Sequence, residues 1–190
     1  MEVALMIEGQ EDVTWDDWVA IARACEDSGV GTLFRSDHFY SVEDQAERGS
    51  LDALTTLAGL AAITEKLRLG TMVSPATFRH PSVFAKSIVT IDQISGGRVE
   101  PGLGAGWWDR EHEAYGFDLP ELGPRMDAFE EQLEVITKQW GGRRLQLRRR
   151  ALQDRRPRRA AEAGAAAATA VHHRRLGWAA QPADRGALGR

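Results

Sequence analysis

The stretch "LRLGTMVSPATFRHPSVFAKSIVTIDQISGGRVEPGLGAGW", residues 67–107, decides how the chain folds. It opens on an apolar run, "LRLGTMVSP", that reads as a buried strand. "HPSVFAKSIVTIDQIS" follows with apolar residues at helical spacing. Pro81 falls in the first turn of that helix, where its missing N–H costs nothing. "GGRVEPGLGAGW" then returns to strand. A strand–helix–strand unit with short connections requires the two strands to run parallel in one sheet.

The pattern repeats toward the N-terminus. "VALMIEG" is a short apolar strand, and "TWDDWVAIARACEDSG" a helix with Thr14 as N-cap, Asp16 and Asp17 in its first turn, and Gly29 as its stop. "GTLFRSDHF" reads as a second strand running into a polar loop. "SLDALTTLAGLAAIT" reads as a second helix, capped by Ser50. After the opening stretch, "DREHEAYG" and "RMDAFEEQLEVITKQW" add helical cover. Four βα units in series predict an α/β fold with a parallel, helix-covered sheet, and both a doubly wound sheet and a (β/α)8 barrel satisfy the pattern. Pro101 lacks the N–H of a central strand, which predicts a damaged fourth strand or a bulge there.

The 190 residues suffice for a real core, and no run of 18 apolar residues suggests a membrane span. The N-terminal "MEVALMIEGQ" lacks the basic and apolar regions of a secretory signal. The single cysteine, Cys25, lies in an apolar helical stripe and reads as a buried, inert thiol, which fits a reducing cytoplasm. Charge divides the chain. Residues 1–140 hold 11 Lys/Arg against 25 Asp/Glu, whereas residues 141–190 hold 13 Arg, no Lys and three acids.

In a barrel, the residues that follow each strand gather on one face. The first strand ends "IEGQ", the second "SDHF", the fourth "GLGAGWW". Asp37 and His38 either stabilise their turn or supply a hydrogen bond and a proton shuttle to a bound group. Gly102, Gly104 and Gly106 permit close backbone approach to a ring or phosphate, although their spacing is not the dinucleotide fingerprint. "EHE" at residues 111–113 reads as a solvated helix face, since adjacent helical residues do not face one site. His80, ahead of Pro81, reads as structural, and no Cys/His cluster suggests a metal.

Taken in order, "LMIEGQ", "LFRSDHF", "LRLGTMVSPATFRHPSVFAK", "IDQISGGRVEPGLGAGWWDREHEAYG" and "RMDAFEEQLEVI" resemble the luciferase-like monooxygenase superfamily, in particular its bacterial branch that uses the deazaflavin coenzyme F420. The resemblance covers residues 3–142 and implies the N-terminal half of a TIM barrel. It implies a ring-contact or proton-transfer role for His38 with Asp37 in support, and a non-proline cis peptide near Met72 and Val73 behind the ring. It places Ala105, Gly106 and Trp107 along the cofactor pocket, and Glu8 and Gln10 are expected to point into it from the first strand. The implied cofactor is coenzyme F420, with FMN and monooxygenation as the alternative. The implied partner is a small organic substrate, and relatives of full length are expected to be homo-oligomers. Trp107 stands where the sugar-phosphate dehydrogenase branch has an acid, which argues against that substrate class.

Residues 143–190 depart from the family's continuation, a Lys-Pro-Val-Gln-Arg-Pro run and a Gly-Gly-Ser-Gly strand end. Synonymous codons for residues 162–178, read one base later, can give "KPVQRPPPPSIIGGSGG". The tail is therefore expected to be an out-of-frame segment, disordered or adventitiously helical, behind a domain of residues 1–142. The 190-residue product is expected to be an inactive, truncated oxidoreductase. A non-catalytic interaction fragment with a basic nucleic-acid-binding tail is the reading from another class. The tail has neither lysines nor interleaved aromatics, so no specific nucleic-acid partner is expected.

Overall fold

The computed structural model describes residues 3–43, 45, 47–141 and 168–170. Four strands, β1 (Ala4–Ile7), β2 (Thr32–Arg35), β3 (Arg68–Pro75) and β4 (Val99–Gly104), pair in parallel and in sequential order. Helices α1 (Trp15–Ser28), α2 (Ala53–Ile63) and α3 (Pro81–Ser95) connect them, and α4 (Asp109–Tyr115) and α5 (Leu122–Trp140) follow β4. Helix α1 packs on α2, α2 on α3, and α3 on α5, so the helices share one face of the sheet. Sequential strand order with one helical layer belongs to a barrel wall. A doubly wound sheet would reverse its order and carry helices on both faces.

Local chemistry sets the element ends. Thr14 and Asp17 form a reciprocal capping box at α1, and Gly29 closes that helix at φ 77°. His80 caps α3, its Nδ1 accepting from the Ser82 N–H at 3.2 Å, and Pro81 begins that helix. At α2 the cap is Asp52 and not Ser50: Asp52 Oδ1 accepts from the Thr55 N–H at 2.8 Å. Ser50 instead donates its hydroxyl to the His38 carbonyl at 2.7 Å, tying the β2 loop to the start of α2.

The core lies between sheet and helices. Leu33, Leu69 and Val99 stand in register on three adjacent strands and meet Trp18, Ala22 and Cys25 of α1, Leu57 and Leu60 of α2, and Ile88 of α3. Each fully buried leucine contributes about 1.5–3 kcal/mol by leaving water. Cys25 is buried as expected, and burial pushes its thiol pKa up. Arg98 donates to the carbonyls of Ala61, Thr64, Leu67 and Ser95, serving carbonyls that α2 leaves unpaired at its C-terminus.

Pro101 leaves β4 unbroken. The Leu69 N–H reaches the Arg98 carbonyl, and the Gly102 N–H faces Thr71, so even-numbered residues of β4 bond toward β3. The Pro101 nitrogen therefore faces the other edge, where no bond to β3 is lost. The irregularity sits in β3, where the register shifts between Thr71 and Ser74. The peptide joining Met72 and Val73 in that interval is cis.

On the outer edge of β4, a three-residue strand β5 (Ala168–Ala170) pairs antiparallel with Gly102–Gly104. Of the tail expected to be disordered or helical, these three residues alone are described, and they are extended. An open strand edge offers backbone N–H and C=O groups that an extended segment satisfies with little regard to its sequence. Pairing starts at Gly102, just past the proline. The rest of the Arg-rich segment lies outside the described residues.

Candidate functional site

The C-terminal ends of β1–β4 open on one side of the sheet. From β1, Gln10 is fully buried, donates to Glu8 Oε2 at 2.8 Å and accepts from the Ser36 hydroxyl at 2.5 Å. Gln10 thus joins the ends of β1 and β2 and does not face an open pocket, whereas Glu8 is exposed. Beneath them the Arg35 guanidinium lies 4.9 Å over the Trp18 ring and donates to the Ser36 and Leu51 carbonyls. Burial lowers its pKa to about 10, against the opposing charges of Asp37 and Asp52. A Cβ at Gly9 would stand 2.4 Å from this guanidinium, so the close turn there requires glycine.

His38 and Glu111 form the centre of the site. His38 Nδ1 lies 2.8 Å from Glu111 Oε2, and Glu111 Oε1 accepts the N–H groups of Phe39 at 2.5 Å and Tyr40 at 3.2 Å. Burial disfavours the imidazolium. The hydrogen bond and charge of Glu111, with the charges of Glu8 and Asp37, outweigh burial and raise the His38 pKa above its usual 6.5. Among the described residues no hydrogen bond reaches His38 Nε2. The indoles of Trp107 and Trp108 stand nearly perpendicular to the ring, with centroids at 6.3 and 6.0 Å.

Asp37 does not contact the neighbouring imidazole. Arg79, from the loop after β3, grips both its oxygens at 2.5 and 3.1 Å and reaches Asp52 at 2.7 Å. The Arg79 pKa is raised, because its two carboxylate partners outweigh its burial. Asp37 therefore anchors the β2 loop to the β3 loop, and its influence on His38 is through charge alone.

The other expected residues share this end of the sheet. Val73 lies against β4, where a Cβ on Gly102 would come within 2.9 Å of its Cγ1 and one on Gly104 within 2.8 Å of its Cγ2. Those two glycines thus make room for the β3 irregularity. Gly106 has φ 84° and lies against Thr77, which leaves 2.7 Å between Thr77 Oγ1 and any added Cβ. Ala105 is buried, Met72 is exposed, and Trp107 is 55% exposed while stacked on Trp108.

The expectation of a solvated face at residues 111–113 holds for Glu113, which is exposed, and is overturned for Glu111 and His112, which are both buried. Helix α4 wedges between two loops, so adjacent residues find different partners. Glu111 grips the β2 loop. His112 donates from Nδ1 to the Trp108 carbonyl at 2.7 Å, and its Nε2 lies within hydrogen-bond distance of the Thr77 hydroxyl at 2.7 Å. Tyr115 donates to the Phe39 carbonyl, and Phe39, Phe78 and Phe117 stack beside it. Neither Glu111 nor Arg79 was flagged by spacing, since Glu111 acts across 73 residues of sequence and Arg79 across 27 and 42. Among the described residues, no group of three or more His, Cys, Asp or Glu could hold a metal. Nor is any helix among them long and apolar enough to cross a membrane.

A parallel sheet in sequential order, helices on one face, and an imidazole and an indole at the strand ends define one wall of a (β/α)8-barrel protein. The chain belongs to the luciferase-like monooxygenase family, whose profile matches residues 1–184. It is 30% identical over 125 residues to the F420-dependent glucose-6-phosphate dehydrogenase of Amycolatopsis mediterranei, a match covering 65% of this chain and 37% of that protein. Its fold is similar to that of an F420-dependent secondary alcohol dehydrogenase in complex with an F420–acetone adduct (TM-score 0.65, 23% identity, 73% of this chain and 42% of that one). It is also similar to the oxygenating constituent of 3,6-diketocamphane monooxygenase from Pseudomonas putida in complex with FMN (TM-score 0.63, 21% identity, 74% and 39%). The chain therefore spans about two fifths of the length of these relatives.

Proposed function

We propose that this chain carries the N-terminal half of a deazaflavin-dependent oxidoreductase site, for hydride transfer between coenzyme F420 and a small organic substrate. The observation that carries the reading is His38, partnered on one nitrogen and open on the other, at the same sheet end as Val73 and Trp107. These residues fit a flat ring: Val73, Ala105 and Trp107 supply apolar surface, and His38 Nε2 supplies a polar atom without a partner among the described residues. Coenzyme F420, when bound, supplies the ring carbon that gives or takes the hydride. His38 Nε2 holds or releases the proton that accompanies that hydride. Trp107 shields the reacting atoms from water. Glu8 and Met72 border the same space, and FMN, with monooxygenation of the substrate, is the alternative cofactor for these residues. The free, buried Cys25 supports a reducing, cytoplasmic setting.

The activity of the 190-residue chain itself is a separate proposal. Four strands supply half the side chains of each layer of a barrel core, and the phosphate site that such barrels build after their seventh and eighth strands lies beyond them. We therefore propose that residues 143–190 are translated out of frame, and that the chain alone binds the coenzyme weakly and is inactive. The composition of the tail supports this, and the family match running on to residue 184 is the observation that weighs against it. Two measurements test the reading. The coding DNA, read one base later after about residue 143, should encode the "KPVQRP" and "GGSGG" runs; any other text there overturns the frame proposal. Fluorescence titration of the chain with coenzyme F420 should show no tight binding, and micromolar affinity with turnover would overturn the inactivity. Restored in frame, the protein should bind the coenzyme, and failure to do so would remove the functional reading.

A further inference from the structure

We propose that Glu111 is the positioning residue that keeps the proton of His38 on Nδ1 and so presents Nε2, as an acceptor, toward the reacting group. The inference rests on the reading of His38 as the proton-handling residue. It stands on the three contacts of one buried carboxylate. Oε1 is occupied by the backbone N–H groups of Phe39 and Tyr40, which offer only protons, and this leaves Oε2 for the ring. A carboxylate oxygen offers only lone pairs, so the ring nitrogen that faces it must carry hydrogen. Glu111 is not free to turn away. Its neighbour His112 is bonded through both nitrogens, and Tyr115 one turn later is bonded to the Phe39 carbonyl.

The charged groups around the ring act in the same direction. Glu8 at the end of β1, Asp37 at the end of β2 and Glu111 on α4 all favour the protonated imidazole. Arg79, from the loop after β3, is turned to Asp37 and Asp52. Trp107 and Trp108, which follow β4, are uncharged and stand nearly perpendicular to the ring. Among the described residues Glu111 alone touches a ring nitrogen, so the tautomer depends on it and on none of the other groups named.

The substitution Glu111→Gln isolates this role. The Phe39 and Tyr40 N–H groups still require an oxygen, so the glutamine carbonyl faces them and the loop stays satisfied. Its NH2 then faces His38 Nδ1 and donates to it, which forces the ring proton onto Nε2. The test is 15N NMR of the imidazoles in the 190-residue chain, with His38→Asn assigning the signal. Above its titration midpoint, the wild-type ring should show a protonated Nδ1 and a bare Nε2. In Glu111→Gln the two nitrogens should exchange character and the midpoint should fall. A wild-type ring protonated on Nε2 overturns the proposal without any variant. An unchanged tautomer in a folded Glu111→Gln chain overturns it as well. Neither measurement uses coenzyme or substrate, so a failed coenzyme titration of the restored protein removes the functional reading and leaves this result standing.

Discussion

Arg79 holds Asp37 by both carboxylate oxygens, at 2.5 and 3.1 Å, with the aspartate side chain only 1% exposed. Removing the cation leaves a buried carboxylate without its counter-charge, which typically costs about 3–5 kcal/mol. Arg79→Leu should therefore lower the urea midpoint markedly. Asp37→Asn with Arg79 retained should cost less, because Asp52 still engages the guanidinium. Equal, small losses in both variants would show that the pair carries little of the loop's stability.

The ion pair of His38 gives stability a defined pH dependence. Its folded pKa is raised above 6.5, so its contribution is full below that value and is lost as pH rises through the folded midpoint. Urea unfolding of wild type and His38→Asn should differ most below about pH 6, and the difference should shrink to a smaller constant value at alkaline pH, where the neutral ring keeps its Nδ1–H bond to Glu111. A difference that widens as pH rises would contradict the pairing with Glu111.

Gly106 combines φ 84° with contact to Thr77. Gly106→Ala should cost about 1–2 kcal/mol for the left-handed backbone alone. The added methyl should also displace the Thr77 hydroxyl from His112 and loosen α4. Thermal unfolding measures the first effect, and exchange of the His112 ring proton measures the second.

The cap of α2 separates two neighbouring polar residues. Asp52→Ala should cost about 1 kcal/mol through the lost bond to the Thr55 N–H, and more through Arg79. Ser50→Ala should leave the helix intact and release only the His38 carbonyl. Far-UV circular dichroism and unfolding of the two variants distinguish these roles, and a larger loss in Ser50→Ala would reverse the assignment.

Most of the element order is local in origin and can be read along the chain. Thr14 with Asp17, Gly29, and His80 with Pro81 act within one helical turn, so they mark helix ends wherever the chain goes. Strand order follows from short connections, and the family resemblance pointed to the Met72–Val73 peptide, which is cis. Ser50 shows the limit of such reading: it was the expected cap, but its hydroxyl serves the His38 carbonyl and Asp52 caps the helix.

The site depended on distance. Residue types and spacing marked Asp37, His38 and the glycines of β4 as candidates, because strand ends converge in any fold of this kind, and it was the family resemblance that set His38 apart. They could not show that Glu111 reaches back 73 residues to His38, or that Arg79 takes Asp37 away from it. Those pairings follow from where α4 and the β3 loop come to rest. That placement is set by packing among Phe39, Phe78 and Phe117, and no periodicity in one segment records contacts between three.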